Sequence, residues 1–241
     1  MKKLTVLLFS LLFAASLSGC SQSREETETP AAQTETQTAA PQAGTEADLP
    51  ETSEVSPESA GEGSRILVAY FSWADNAVLA AYVDAVTSPS VISPGNVQQL
   101  AGWVQEETGG DLFSIRVTDP YPSDWDACLD RANEERGQDA RPELEARVEN
   151  MEDYNTVFLG YPNWWYGVPM ALLSFLEEND LSGKDVYLFC SHGTGGLASS
   201  VEQITEAAPD ARISENIFDC YEEESPSSQE NIQNWVRELG Y

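Results

Sequence analysis

The sequence predicts an α/β fold in three layers: a doubly wound parallel sheet of five strands with helices on both faces. Three observations carry that expectation. The strand-like runs are apolar without alternation, as in strands buried on both sides. Each run is followed by a stretch with helical spacing. The alternation of strand and helix repeats five times, which requires right-handed crossovers onto a parallel sheet.

The composition changes abruptly at Arg65, and the elements follow in order. Residues 66–71 are a continuous apolar run ending at Ser72, a first strand. Residues 96–108 place Val97, Leu100, Ala101 and Val104 on one helical face. Residues 112–117 give the second strand and 124–136 the second helix. The third strand starts at Thr156 and breaks at Gly160 and Pro162; a helix follows over 169–178 with Pro169 near its first position. Residues 185–190, 197–207, 216–220 and 227–239 complete the series as strand, helix, strand, helix. No internal repeat is visible.

The 64 residues before Arg65 have another character. Lys2 and Lys3 precede an apolar run over 4–17, shorter than the roughly 20 residues a membrane-spanning helix needs, so residues 1–20 read as an export signal. Leu17-Ser18-Gly19-Cys20 resembles the bacterial lipobox, which implies cleavage before Cys20, lipidation of that Cys and an extracytoplasmic protein anchored to the membrane. Residues 21–64 are Thr, Glu, Ala, Gln, Pro, Ser and Gly with almost nothing apolar, a composition that cannot repay the entropy of ordering. A flexible tether is expected there, holding a domain over 65–241 about 40 Å from its anchor.

The net charge is −29, and residues 65–241 carry 31 acidic against 9 basic residues. Clustered Lys and Arg are missing, which excludes nucleic acid as a partner and disfavours anionic membranes as a binding surface. Cys128, Cys190 and Cys220 match no metal-site spacing. An extracytoplasmic protein can form disulfides, but their places in strands and a helix make buried free thiols the default.

Candidate chemistry sits in three loops. Trp164, Trp165 and Tyr166 fall in the loop Pro162, Asn163 to Gly167 at the carboxyl end of a buried parallel strand, where open α/β sheets bind ligands; such a loop suits a flat partner. A second loop, Ser191-His192-Gly193-Thr194-Gly195-Gly196, follows the fourth strand, and its glycines allow close backbone approach. His192 is the chain's only His, and no Gly-x-Ser-x-Gly elbow accompanies it, so a Ser-His hydrolase finds no nucleophile. The third follows the first strand: Ser72, Trp73 and Ala74, with Asp75 and Asn76 next.

From Val-Ala-Tyr-Phe-Ser through Gly-Asn, Gly-Gly-Asp-Leu-Phe-Ser-Ile and Gly-Tyr-Pro-Asn-Trp-Trp-Tyr-Gly to Ser-His-Gly-Thr-Gly-Gly, the domain resembles the flavodoxin-like family, in particular a small bacterial subgroup. The resemblance implies strand order 2-1-3-4-5 and noncovalent FMN at the topological switch point. It places the phosphate in the loop after the first strand, held by hydroxyls, amides and a helix N-terminus. Here the helix that leads into Gly109-Gly110-Asp111 starts some twenty residues later, at Ser93-Pro94-Gly95-Asn96-Val97. An insertion within the loop is the favoured reading, with Ser72, Trp73 and Ala74 on one side of the phosphate and Ser93 to Val97 on the other. The competing ungapped loop, 72–77, sets the Asp75 carboxylate beside a dianion. The resemblance assigns 162–167 to ring stacking, with Trp164 or Trp165 touching the flavin, and 191–196, His192 included, to its pyrimidine side.

The expected function is FMN-dependent redox chemistry with either a partner protein or a small quinone-type acceptor, as a carrier or an oxidoreductase. The alternative is a binding module of the same fold that no longer takes FMN. The acidity serves solubility, a lowered flavin potential or steering of a basic partner, three roles that composition does not separate. Residues 119–125, with Trp125, and 141–144 are expected near the open side of the site.

Overall fold

The computed structural model describes residues 65–79 and 89–241. The export signal, Cys20 and the tether expected over 21–64 lie outside the described residues. Among the described residues no helix is long and apolar enough to cross a membrane.

Strand β1 is Arg65–Phe71, and a short strand β2, Ala77–Val78, follows one turn later. Helix α1 (Asn96–Thr108) leads into β3 (Asp111–Ile115); β4 (Tyr121–Pro122) precedes α2 (Trp125–Gly137). Then come β5 (Tyr154–Pro162), α3 (Met170–Glu178), β6 (Asp185–His192), α4 (Ser200–Ala207), β7 (Arg212–Ile213), β8 (Phe218–Tyr221) and α5 (Gln229–Glu238). The main sheet is parallel, its hydrogen-bonded neighbours running β3, β1, β5, β6, with β7 and β8 both beside β6.

Alternate residues of the buried strands feed opposite faces, as the two-residue period dictates. Leu67, Ala69 and Phe71 join Val157, Leu159, Leu188 and the helical residues Cys128, Ala171, Leu172, Phe175 and Ile204 in one core. Val68, Tyr70 and Phe158 join Val97, Leu100, Val104, Ile232, Trp235 and Val236 in the other. Thus α1 and α5 cover one face and α2, α3 and α4 the other, which gives the three layers. Gly160 of β5 is demanded by this packing, because a Cβ there would lie 2.2 Å from Cε2 of buried Phe189.

Several boundaries differ from expectation: β5 begins at Tyr154 and runs unbroken through Gly160 to Pro162, β6 takes in Ser191 and His192, and α5 is shorter at both ends. The second strand stops at Ile115, because Asn76 Oδ1 accepts from the Val117 amide and diverts the chain. Asp124 caps α2 rather than belonging to it, its Oδ1 accepting from the Ala127 amide at 2.9 Å. Helix α4 starts at Ser200, since the preceding glycine-rich loop winds on through Ala198 at φ 43°. The position of the fifth strand is shared by β7 and β8. A further sheet of two strands, Ala77 beside Tyr121 and Val78 beside Pro122, was not expected.

Candidate functional site

The carboxyl ends of the adjacent strands β1, β5 and β6 open into one cleft of about 290 Å³. Its walls include Ser72 and Trp73 after β1, Asn96 and Val97 at the start of α1, and Pro162 as the last residue of β5 with Asn163, Trp164, Trp165 and Tyr166 after it. Ser191 and His192 join them as the last two residues of β6, in the strand where a loop was expected, with Gly193, Thr194 and Gly195 after them.

The first loop turns through a short 3₁₀ segment, Ala74–Asn76. Buried Asn76 fixes it, donating from Nδ2 to the carbonyls of Ser72 and Ile115, both at 2.9 Å. The Asp75 carboxylate faces the sheet edge and accepts from Ser114 Oγ at 2.7 Å. Gly95, the residue before α1, comes against this loop so closely that a Cβ would lie 2.5 Å from Ser72 Oγ and 2.9 Å from the Ser90 carbonyl oxygen. The two halves separated in sequence therefore meet in space. Gly95's own amide donates to Gln98 Oε1 at 3.1 Å, while the amides of Asn96 and Val97 begin the helix without intrahelical acceptors.

The aromatic loop is a tight turn in which the Trp164 amide donates to the Gly167 carbonyl at 3.0 Å and the Gly167 amide to that of Trp164 at 3.1 Å. Its central residues, Trp165 and Tyr166, have φ 49° and 67°, a left-handed pair that ordinary side chains disfavour by about 1–2 kcal/mol each. Three side chains from two helices and their flank hold it. Arg136 Nη1 donates to the Trp165 carbonyl, Ser199 Oγ to that of Tyr166 at 2.5 Å, and the Val168 amide donates to Gln203 Oε1 at 3.0 Å. Trp164 wedges edge-on between Phe71 and Tyr121, with ring centroids 5.3 and 5.2 Å away, so its ring is as much core as wall. Trp165 packs against Trp164 and Trp125, and Tyr166 is 67% exposed with its ring over Gly195.

The glycine loop is tied to both neighbours. The Asn163 amide donates to the Ser191 carbonyl, Asn163 Nδ2 donates to the Gly196 carbonyl, and Asn96 Nδ2 donates to the Glu222 carbonyl at 2.9 Å. His192 Nδ1 lies 2.9 Å from the Gly193 carbonyl oxygen and Nε2 2.8 Å from Asp219 Oδ2. Among the described residues no Lys or Arg lines the cleft, and Glu222 is its one carboxylate.

Six expected site residues stand outside the lining. Gly95 and Ala74 lie behind Ser72. Ser93 and Pro94 are exposed before α1, Gly167 faces Arg136 and Gln203, and Gly196 turns away at φ 58°. Three lining residues were absent from the expected site: Ser90, Glu222 and Trp125, the last expected only near it. Glu222 follows a strand of the same sheet, and the rule that ligands gather at carboxyl ends of strands is the signal that finds it. Residues 141–144 pack beside β3's end instead, Leu144 bridging Val117, and do not reach the cleft.

A family model for flavodoxin matches residues 77–239. The chain belongs to the flavodoxin family. The match starts after Ser72 and Trp73, so the first half of the split loop lies outside it. Among solved structures, a protein assigned as a flavoprotein from Bacteroides eggerthii DSM 20697 is 25% identical, with TM-score 0.55 over 74% of this chain and 99% of that one. Its counterpart from Bacteroides uniformis ATCC 8492 is 21% identical, with TM-score 0.56 over 73% and 99%. A flavoprotein in complex with FMN from Lactobacillus acidophilus NCFM is 15% identical, with TM-score 0.51 over 70% and 99%. No curated protein matches the chain.

Proposed function

We propose that the cleft binds FMN noncovalently and that the protein transfers electrons outside the cytoplasm, tethered to the membrane through Cys20 and residues 21–64. The observation that carries this reading is the convergence of three loops, after β1, β5 and β6, on a single slot with an aromatic wall and a glycine-rich wall. Membership of the flavodoxin family and the FMN complex of one structural relative support the choice of cofactor.

The donor set fits a phosphorylated flavin. The hydroxyl of Ser72 and the first amides of α1 supply neutral donors at one end, where a helix N-terminus favours an anion. Asp75, bonded to Ser114, is kept out of that end. Gly95 lets the backbone approach where any side chain would collide with Ser72. Trp165 and Tyr166 offer flat faces to the ring, and amides of Gly193 to Gly195 its polar edge. FMN, when bound, supplies the electron-transfer chemistry; the chain orients it, excludes water from its faces and sets the field around it.

A small planar acceptor is the second reading, favoured by Trp125, 38% exposed on the same cleft wall as Trp165. Purified protein tests the first reading directly. A yellow protein whose flavin is released by acid, and which is reduced and reoxidised reversibly, supports it. Colourless protein that takes up no added FMN leaves a binding module of the same fold.

A further inference from the structure

We propose that His192 and Asp219 form a proton-dependent latch on the glycine loop, so that affinity for FMN is high while the pair holds a proton and falls when it is lost. The inference rests on the FMN reading above and deepens it. A carbonyl oxygen can only accept, so a hydrogen bond across the 2.9 Å between His192 Nδ1 and the Gly193 carbonyl is one made by an Nδ1–H. The opposite ring nitrogen, Nε2, meets a carboxylate oxygen of Asp219 at 2.8 Å. A neutral imidazole with its proton on Nδ1 would aim a lone pair at that carboxylate. Making both hydrogen bonds at once takes one proton more than a neutral imidazole beside an ionised carboxylate carries, and the latch is the state in which that proton is present.

The latch acts through its neighbour. Gly193 and Gly195 line the cleft, and the His192 bond fixes the carbonyl of the first, hence the direction of the amides that follow. Gly196's amide closes the same turn by donating to the Gly193 carbonyl at 3.2 Å. His192 is thus a positioning residue, and among the described residues lining the cleft it is the one side chain able to take a positive charge.

The groups facing it are few. On β8 and the turn after it stand Asp219, the Tyr221 ring edge-on at 6.1 Å, and Glu222, whose amide donates to the His192 carbonyl at 2.8 Å and whose carboxylate approaches Gly193. Cys190 on β6, Tyr161 on β5 and Cys220 on β8 are the titratable groups that feel Asp219, each favoured in its neutral form chiefly by burial.

His192 is the only His in the chain, so its ring nitrogens can be followed by NMR in the free protein without assignment ambiguity. The companion measurement is the Kd for FMN from Trp fluorescence between pH 5.5 and 8.5, the interval in which imidazoles change charge in proteins. Wild type, His192→Gln and Asp219→Asn are compared, with riboflavin as a second ligand to separate ionisation of the FMN phosphate. The latch predicts that both nitrogens carry protons at low pH and that Asp219→Asn moves the ring's titration to lower pH. Wild-type affinity for both ligands should then fall three- to tenfold more across the range than that of His192→Gln. Equal pH profiles in wild type and His192→Gln, or a ring with one proton throughout, overturn the latch and leave FMN binding standing. Absence of FMN binding in the wild type at every pH overturns the FMN reading and the latch together.

Discussion

Gly95 and Gly160 fail differently when a methyl group is added, and the contrast separates the site from the scaffold. A Cβ on Gly160 meets the ring of Phe189 at 2.2 and 2.3 Å inside the core, so Gly160→Ala is expected to cost about 2–3 kcal/mol. Urea unfolding measures it. On Gly95 the collision is with Ser72 Oγ, the Ala74 side chain and the Ser90 carbonyl, all at the junction of the split loop. Gly95→Ala is expected to weaken FMN binding at least tenfold while costing less stability than Gly160→Ala. Equal affinity in Gly95→Ala and wild type would show that the junction holds no phosphate. Neither collision was legible in the sequence, where Gly160 reads as a strand break and Gly95 as one glycine before a helix. What demands them is a neighbour at a distance in the chain.

Among the elements, the turn Trp164 to Gly167 is held in a strained conformation. Its two central positions favour Asn-Gly over bulky rings, and the turn persists because Arg136, Ser199 and Gln203 pin it. Tyr166→Gly should therefore raise stability by about 1 kcal/mol, read from the urea midpoint, while lowering FMN affinity because one flat wall is lost. A destabilised Tyr166→Gly would mean that the ring over Gly195 contributes more packing than the backbone stores in strain. The aromatic run itself stood out in the sequence, as did the five strand and helix pairs, because long apolar runs and helical spacing are strong local signals. The division of labour, Trp164 in the core and Tyr166 on the surface, did not, since it depends on where Phe71 and Tyr121 come to lie. Strands β2 and β4 escaped notice because two residues show no periodicity. The split of the first loop was legible from the mismatch between Ser72 and the start of α1. Its closure was a matter for tertiary structure.

Across the described residues, charge is distributed to leave the cleft lining without a fixed cation. Seven of the nine basic residues of 65–241 are in ion pairs, and the other two, Lys184 and Arg136, donate to the carbonyls of Tyr154 and Trp165. An anionic ligand must approach against 31 acidic residues, so the FMN association rate should rise severalfold as salt is raised from about 20 to 200 mM. A rate that falls with salt would point to a cationic entry path. Alkali is expected to loosen the fold as well. Burial pushes the Cys128 thiol up to about 12 and the Tyr70 hydroxyl up to about 12. Groups whose acid form the fold favours stabilise it fully below their unfolded values and lose that contribution as pH rises toward the folded ones. The urea midpoint should therefore hold to about pH 9 and fall toward pH 12, with Cys128→Ala making the fall shallower without moving its onset, because buried Cys190 and Cys220 start to lose their contribution at the same pH. The most direct test of the three-loop slot is a fluorescence titration of flavin-free protein with FMN. Saturable quenching of tryptophan at one FMN per chain, tighter than riboflavin and weakened in Trp165→Leu, is the predicted result. No quenching, or quenching indifferent to both the phosphate and Trp165, would contradict it.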